Sequence, residues 1–161
     1  MAVWIQPVYD RTDEDVAFAQ EQIQKWIDAK LSGNPVETYE LKGCFNLTDI
    51  NRIEGDIQYI SDRLDELHYP PGTSCKVWER SGLPTARDVR RILSNIKRII
   101  AVYYQPTGVP NVPGSMGTYS DINAIEQNLY AIKQLLDAME DRFQKSGMLK
   151  SGAMRMLPIR R

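Results

Sequence analysis

The sequence predicts an all-α protein, built from tandem-duplicated helical hairpins packed as a four-helix arrangement with long loops and an extended C-terminal tail. Two repeats carry that expectation. "DINRIEGDIQYISDRL" at 49–64 returns seventy-two residues later as "DINAIEQNLYAIKQLL" at 121–136. "TDEDVAFAQEQIQKWI" from Thr12 and "TARDVRRILSNIKRII" from Thr85 share T-x-x-D-V, then Ile seven and eleven residues after the valine, at an offset of seventy-three. Caps and apolar spacing recur in helical proteins generally, but matched order and near-equal offsets point to duplication of a helix–loop–helix unit.

The first helix is expected over 12–31, with Thr12 as cap, Asp15 completing an acidic capping box, and Val16, Ile23 and Ile27 on one face. The second, over 48–67, has Ile50, Ile53, Ile57, Ile60, Leu64 and Leu67 at spacings of 3, 4, 3, 4 and 3, which line one side of a helix. Thr48 serves as its N-cap, and Asp49 lies where the helix dipole favours negative charge. The third is expected over 84–104, Pro84 and Thr85 competing for its start, with Asp88 as box partner and Val89, Ile96 and Ile100 as stripe. The fourth, over 119–145, carries Ile122, Ile125, Leu129, Ile132, Leu136, Met139 and Phe143 after a cap at Ser120 followed by Asp121.

Residues 1–72 then form a first hairpin, 73–145 a second, and 146–161 a basic and apolar tail. Four single stripes are buried most simply against one another within the chain, since loops of these lengths allow antiparallel neighbours. The same spacing also suits a coiled-coil oligomer.

Composition suits one compact domain: 161 residues, 42% hydrophobic and 25% charged. No apolar run approaches the roughly 18 residues of a membrane span, and "MAVWIQPVYDRTDED" has no signal-peptide pattern, so synthesis in a cytoplasm is expected. Cys44 and Cys75 form no C-x-x-C and read as buried or incidental thiols. The net charge of −1 hides an asymmetry: residues 1–72 hold 6 Lys/Arg and 14 Asp/Glu, whereas 73–161 hold 14 and 7. Such halves suit complementarity within the molecule, head-to-tail attraction between copies, or binding of an acidic partner.

Catalytic signals are missing. The single histidine, His68, follows a helix and reads as a C-terminal cap; there is no Gly-rich phosphate loop, G-x-S-x-G or metal-ligand cluster. Asp62, Asp65 and Glu66 fall on the polar face of their helix, where solvation is the default. No enzyme activity and no cofactor are expected. Asn51 and Glu54, with Arg52 between them, and their repeats Asn123 and Glu126 sit at the edge of the apolar stripe. They are read as hydrogen-bonding the backbone of a neighbouring segment rather than a ligand.

Partner binding is assigned to the basic half. Helix three carries Arg87, Arg90, Arg91, Lys97 and Arg98, and the final "KSGMLKSGAMRMLPIRR" holds five basic and no acidic residues. Its Met148, Leu149, Met154, Met156, Leu157 and Ile159 are too apolar for a solvated arm and, with Arg155, Arg160 and Arg161, suggest docking. Nucleic acid is the alternative partner. The tail has no interleaved aromatics and the pI is near 5.9, which favours acidic protein surfaces, the chain's own N-terminal half included.

"VYDRTDEDV", "ELKGCFNLTDINRIEGDIQYI", "LPTARDVRRILSNIKRI" and "YSDINAIEQNL" together resemble small structural proteins of the tail and baseplate regions of phages and prophages of Gram-positive bacteria. The resemblance covers residues 4–136, its first three phrases being the more specific. It implies a non-enzymatic virion component, made in the bacterial cytoplasm and present in several copies, that joins tail parts or supports a receptor-binding protein. The motif residues are Tyr9, Asp10, Arg11 and Thr12, then Asn51, Arg52, Ile53 and Glu54, then Arg91, Ile92 and Asn95. The second repeat departs from the pattern in having Ala124 where Arg52 stands. The rival reading, from the residues alone, is a cytoplasmic helical protein that binds nucleic acid or a regulatory partner through its basic half.

Overall fold

Four helices form where the apolar periodicity places them: α1 Asp13–Leu31, α2 Leu47–Glu66, α3 Ala86–Val102 and α4 Tyr119–Ala153. This is a computed structural model, and it describes residues 2–153, with side chains as far as residue 143. The protein is all-α in a four-helix arrangement, with no strand among the described residues.

All four helices open on an acidic box. In α1 and α3 the caps Thr12 and Thr85 accept from the N–H of Asp15 and Asp88, whose carboxylates accept in return from the cap N–H at 2.9 and 3.0 Å. Thr85, not Pro84, therefore caps α3. In α2 and α4 the caps lie two residues before the expected Thr48 and Ser120. Asp49 accepts from the N–H of Asn46 at 2.8 Å, and Asp121 from that of Thr118 at 3.1 Å. The earlier start puts each aspartate at the third helical position, where its carboxylate reaches back to an otherwise unsatisfied N–H. Thr48 instead gives its hydroxyl to Glu40 at 2.7 Å.

At the other end of α2 the His68 N–H donates to Asp65 O and the Tyr69 N–H to Leu64 O, with His68 at φ 67°. These are the paired bonds of a Schellman motif, so His68 ends the helix through its left-handed backbone.

The core joins α2, α3 and α4. Ile53, Ile57, Ile60 and Leu64 of α2 meet Ile125, Leu129, Ile132 and Leu136 of α4 on one side and Ile92, Ile96 and Ile99 of α3 on the other, all fully buried. Each such side chain contributes about 1.5–3 kcal/mol by leaving water. Trp78, from the connector between the hairpins, is 6% exposed and closes the cluster.

α1 stands apart from this core. The expected stripe of Val16, Ile23 and Ile27 does not enter it: Ile23 is 38% and Ile27 46% exposed, and Ala19 is the one fully buried side chain of α1. The reason is written in the repeat. At the positions where α3 buries Ile92 and Leu93, α1 carries Ala19 and Gln20, too small and too polar to hold a helix on the bundle. α1 rests instead on the loop that follows it. Trp26 meets the Tyr39 ring edge-on at 5.2 Å, and Lys42 bonds Asp10 O at 2.9 Å and Asp15 Oδ2 at 3.1 Å. Gly43 lies so close that a Cβ there would fall 2.0 Å from Asp15 O.

α4 also departs from expectation, running to Ala153 rather than ending near 145. Met154, Arg155, Met156, Leu157, Arg160 and Arg161 of the tail lie outside the described residues.

Three aspartate substitutions distinguish core from surface. Ile57→Asp and Leu129→Asp place a charge at fully buried positions and should each remove several kcal/mol, comparable to the whole stability of a domain. Ile27→Asp, on the partly exposed side of α1, should leave the chain folded and lower the melting temperature far less than either core substitution. Thermal unfolding followed by circular dichroism measures all three.

Candidate functional site

Two extended segments, 2–11 and 72–78, are fastened to the helices by side chains. The first lies between α2 and α4. Its N–H groups at Ala2, Ile5, Val8 and Arg11 donate in turn to Asp62 (3.0 Å), Asp56 (3.1 Å), Glu126 and Asn123 (3.3 Å). Donors every third residue match the three-residue turn of a polyproline II segment. Pro7, buried between them, has no N–H to satisfy. Trp4 packs on Tyr59 with ring centroids 5.6 Å apart, and Tyr9 on Tyr130 at the same separation.

The second segment lies between α2 and α3, and asparagines hold it. The Asn51 amide accepts from the Trp78 N–H at 2.8 Å and donates to Trp78 O at 3.1 Å; Asn95 does the same for Ser74, at 3.2 and 2.8 Å. Asn123 repeats the pattern on the first segment, donating to Arg11 O at 2.9 Å. In each case one side-chain amide satisfies both polar groups of one residue's backbone, as a neighbouring strand would. Asn51 and Asn123 thus perform the same task in the two repeats.

The glutamates also correspond. Glu54, 2% exposed, accepts from the Trp78 indole N–H at 3.1 Å and from the Arg91 guanidinium. Glu126, fully buried, accepts from the Val8 N–H and from Arg52 at 2.7 Å. Around Glu126 lies an ionic cluster: Arg11 bonds Asp49 at 2.8 Å, Arg52 bonds Asp49 and Glu126, and Arg11 approaches Glu126 at 3.5 Å. Two arginines face two carboxylates, so charge balances out of contact with water. Burial pushes the Glu126 carboxyl above its usual range, with Arg52 and Arg11 opposing the shift.

Asp56 is fully buried, accepts from the Ile5 N–H through Oδ1, and has no hydrogen-bond partner at Oδ2. Burial pushes its carboxyl from 3.8 up to about 7, only partly offset by the Ile5 N–H. Asp62, expected in solvent, is half-buried and receives the Ala2 N–H.

The positions proposed for partners divide. Arg91 is engaged internally, with Glu54 and with Ser74 O at 2.7 Å, whereas Arg87 and Arg90 are exposed on the outer face of α3. Cys44 and Cys75 are half-buried free thiols, and burial raises Cys75 to about 12. Among the described residues, no group of three or more His, Cys, Asp and Glu could hold a metal ion, and no helix is long and apolar enough to cross a membrane.

One surface left open for another molecule is on α1. Ile23, Trp26, Ile27, Lys30, Val36 and Thr38 line a groove of about 360 Å³ between α1 and its following loop. Leu31, 81% exposed, extends the apolar side of the helix beyond it. Asn51, Arg52, Glu54, Asn123 and Glu126 are engaged within the chain itself, and the groove on α1 is the candidate site because it is lined by apolar side chains that the core does not use.

Compared with protein-family models, with curated proteins and with solved structures, the chain matches none of them.

Removing one asparagine clasp leaves buried backbone groups without partners. Asn51→Ala and Asn123→Ala should each cost about 1–3 kcal/mol in denaturant unfolding. Amide exchange should accelerate at Trp78 in the first variant and at Arg11 in the second. Asp56 makes a pH-dependent prediction. Its pKa is higher folded than unfolded, so the folded state binds more protons between about pH 4 and about pH 7, and stability falls as pH rises through that window. Asp56→Asn should remove that part of the pH dependence, gaining a few kcal/mol relative to the parent on going from pH 4 to pH 7.

Proposed function

We propose that the protein is a non-enzymatic structural adaptor of a phage tail or baseplate, present in several copies, that joins tail parts or supports a receptor-binding protein. The observation that carries this reading is the position of α1. Its Ile23, Ile27 and Leu31 are in water while the core of α2, α3 and α4 is filled without them. Contiguous exposed apolar side chains on a soluble scaffold are the mark of an interaction surface. The two clasped segments supply the complementary property: α2, α3 and α4 are locked into a rigid unit on which α1 can be presented. The particle context comes from the resemblance of the "VYDRTDEDV", "INRIEG" and "RRILSN" motifs. Its partners are then other tail or baseplate proteins and further copies of itself, and its destination is the virion.

A second reading has one feature in its favour: Arg87, Arg90 and Lys97 are all exposed on α3, where an acidic regulatory partner or nucleic acid would meet them.

Gold-labelled antibody against the protein should decorate the tail end of particles released from an induced host, and loss of the gene should give particles with incomplete tails. Purified particles free of the protein would overturn the adaptor reading. DNA binding at physiological salt, weakening steeply as salt is raised, would put the α3 reading in its place.

A further inference from the structure

We infer that the α1 groove receives residues 154–161 of a second copy of the chain, so that copies join head to tail. This deepens the adaptor reading by naming one partner of the same surface, and it rests on that reading only for where the contact is used.

The two surfaces are complementary in charge and in kind. Residues 13–40, which form α1 and the groove's second wall, carry seven acidic and two basic side chains; residues 145–161 carry five basic and no acidic ones. The groove is mainly apolar, lined by Ile23, Trp26, Ile27 and Val36 with Lys30, Asn34 and Thr38 beside them, and the segment supplies Met154, Met156, Leu157 and Ile159 between its arginines. Unbranched methionines adapt to an irregular apolar groove, while Arg155, Arg160 and Arg161 can meet carboxylates such as the exposed Asp28 and Glu37, which adjoin the lining residues Ile27, Val36 and Thr38 in sequence.

Geometry assigns the segment to another copy. α4 has 35 residues and α2 20, and Met139 is the last described α4 residue packed on the core. The remaining turns carry residue 153 about 20 Å further along the helix axis. α1 begins beside the opposite end of α4, where the Arg11 N–H meets Asn123. α4 rises about 50 Å, and the groove begins about 15 Å along α1, at Ile23. Even with α1 pointing back along α4, residue 153 would lie roughly 20 Å from Lys30 and roughly 30 Å from Ile23, the two ends of its own groove on the helix. Eight residues span at most about 27 Å fully extended. A chain's own segment, drawn straight, would reach the Lys30 end of the groove but not run along it to Ile23, whereas the segment of a second copy can lie along its whole length. A contact between unlike surfaces of two copies repeats from copy to copy, closing a ring or propagating a stack.

The test uses the full-length chain and two full-length variants, Ile27→Asp in the groove and Leu157→Asp in the segment. Mass in solution is measured by light scattering after gel filtration, with thermal melts to confirm that both variants are folded. The parent should exceed the monomer mass of 18.4 kDa. Each variant alone should run as a monomer. An equimolar mixture should restore a species of twice the monomer mass and no larger, because it contains one intact groove facing one intact segment. Added salt should weaken that dimer. A monomeric parent at its highest soluble concentration overturns the inference. So does assembly that survives Leu157→Asp but not Ile27→Asp, which would mean that α1 pairs with α1; assembly that survives Ile27→Asp but not Leu157→Asp, which would put the segment elsewhere; or a mixture that remains monomeric. Any of these results leaves incorporation into particles to be judged separately by the antibody experiment.

Discussion

Extended backbone that lies between helices has polar groups that neither a helix nor a sheet satisfies, and this fold depends on meeting that demand with side chains. Asp62, Asp56, Glu126 and Asn123 receive the N–H groups of residues 2–11, while Asn51 and Asn95 close on Trp78 and Ser74. Because these side chains are themselves buried or half-buried, each needs the segment as much as the segment needs it. Leaving either side unpaired costs the desolvation of a polar group. The ionic cluster of Arg11, Asp49, Arg52 and Glu126 ties the two requirements together, since Arg11 belongs to the segment and the other three to α2 and α4.

That constraint makes α2 the centre of the molecule. One edge of α2 holds the N-terminal segment against α4, another holds the connector against α3, and its apolar stripe lies between them. Asn51, Arg52, Glu54 and Asp56 occur within six positions because α2 alone faces both segments. In α4 the positions matching Arg52 and Asp56 are Ala124 and Asn128, and Asn128 donates instead to Pro110 O at 2.7 Å in the loop that covers it. The repeats have kept the asparagine clasp and the glutamate and diverged in what surrounds them.

The same divergence explains the open surface. A duplicated hairpin would be expected to place α1 on the bundle as it places α3, yet Ala19 and Gln20 deprive α1 of the side chains that fix α3 in the core. With its inward face weakened and its N-terminus tethered through Lys42 and Gly43, α1 keeps an apolar side with no use inside the monomer. Part of the basic half is spent internally, Arg91 on Glu54 and Arg98 on Gly72 O.

The sequence by itself determined the helices and the motif. Their existence, order and approximate limits follow from a 3.6-residue periodicity and acidic caps, both local properties, and the paired Asn and Glu at the stripe edges marked where a neighbouring segment would be held. Even so, the caps of α2 and α4 were displaced by two residues, because choosing between Asn46 and Thr48 depends on which side chain other groups engage. Only the tertiary structure decided which segments are held and which stripe is buried. Nothing in "MAVWIQPVYDR" says that its amides face α2 and α4, or that Asp56, at the edge of the α2 stripe between Ile53 and Ile60, becomes a buried acceptor of one of them. Trp78, a large aromatic in a turn-rich connector, was the one local hint of that burial. The stripe of α1 has the same spacing as those that form the core, and periodicity shows only that a helix has an apolar side. What covers that side depends on volume and shape summed over three other helices, and here α2, α3 and α4 fill the core among themselves.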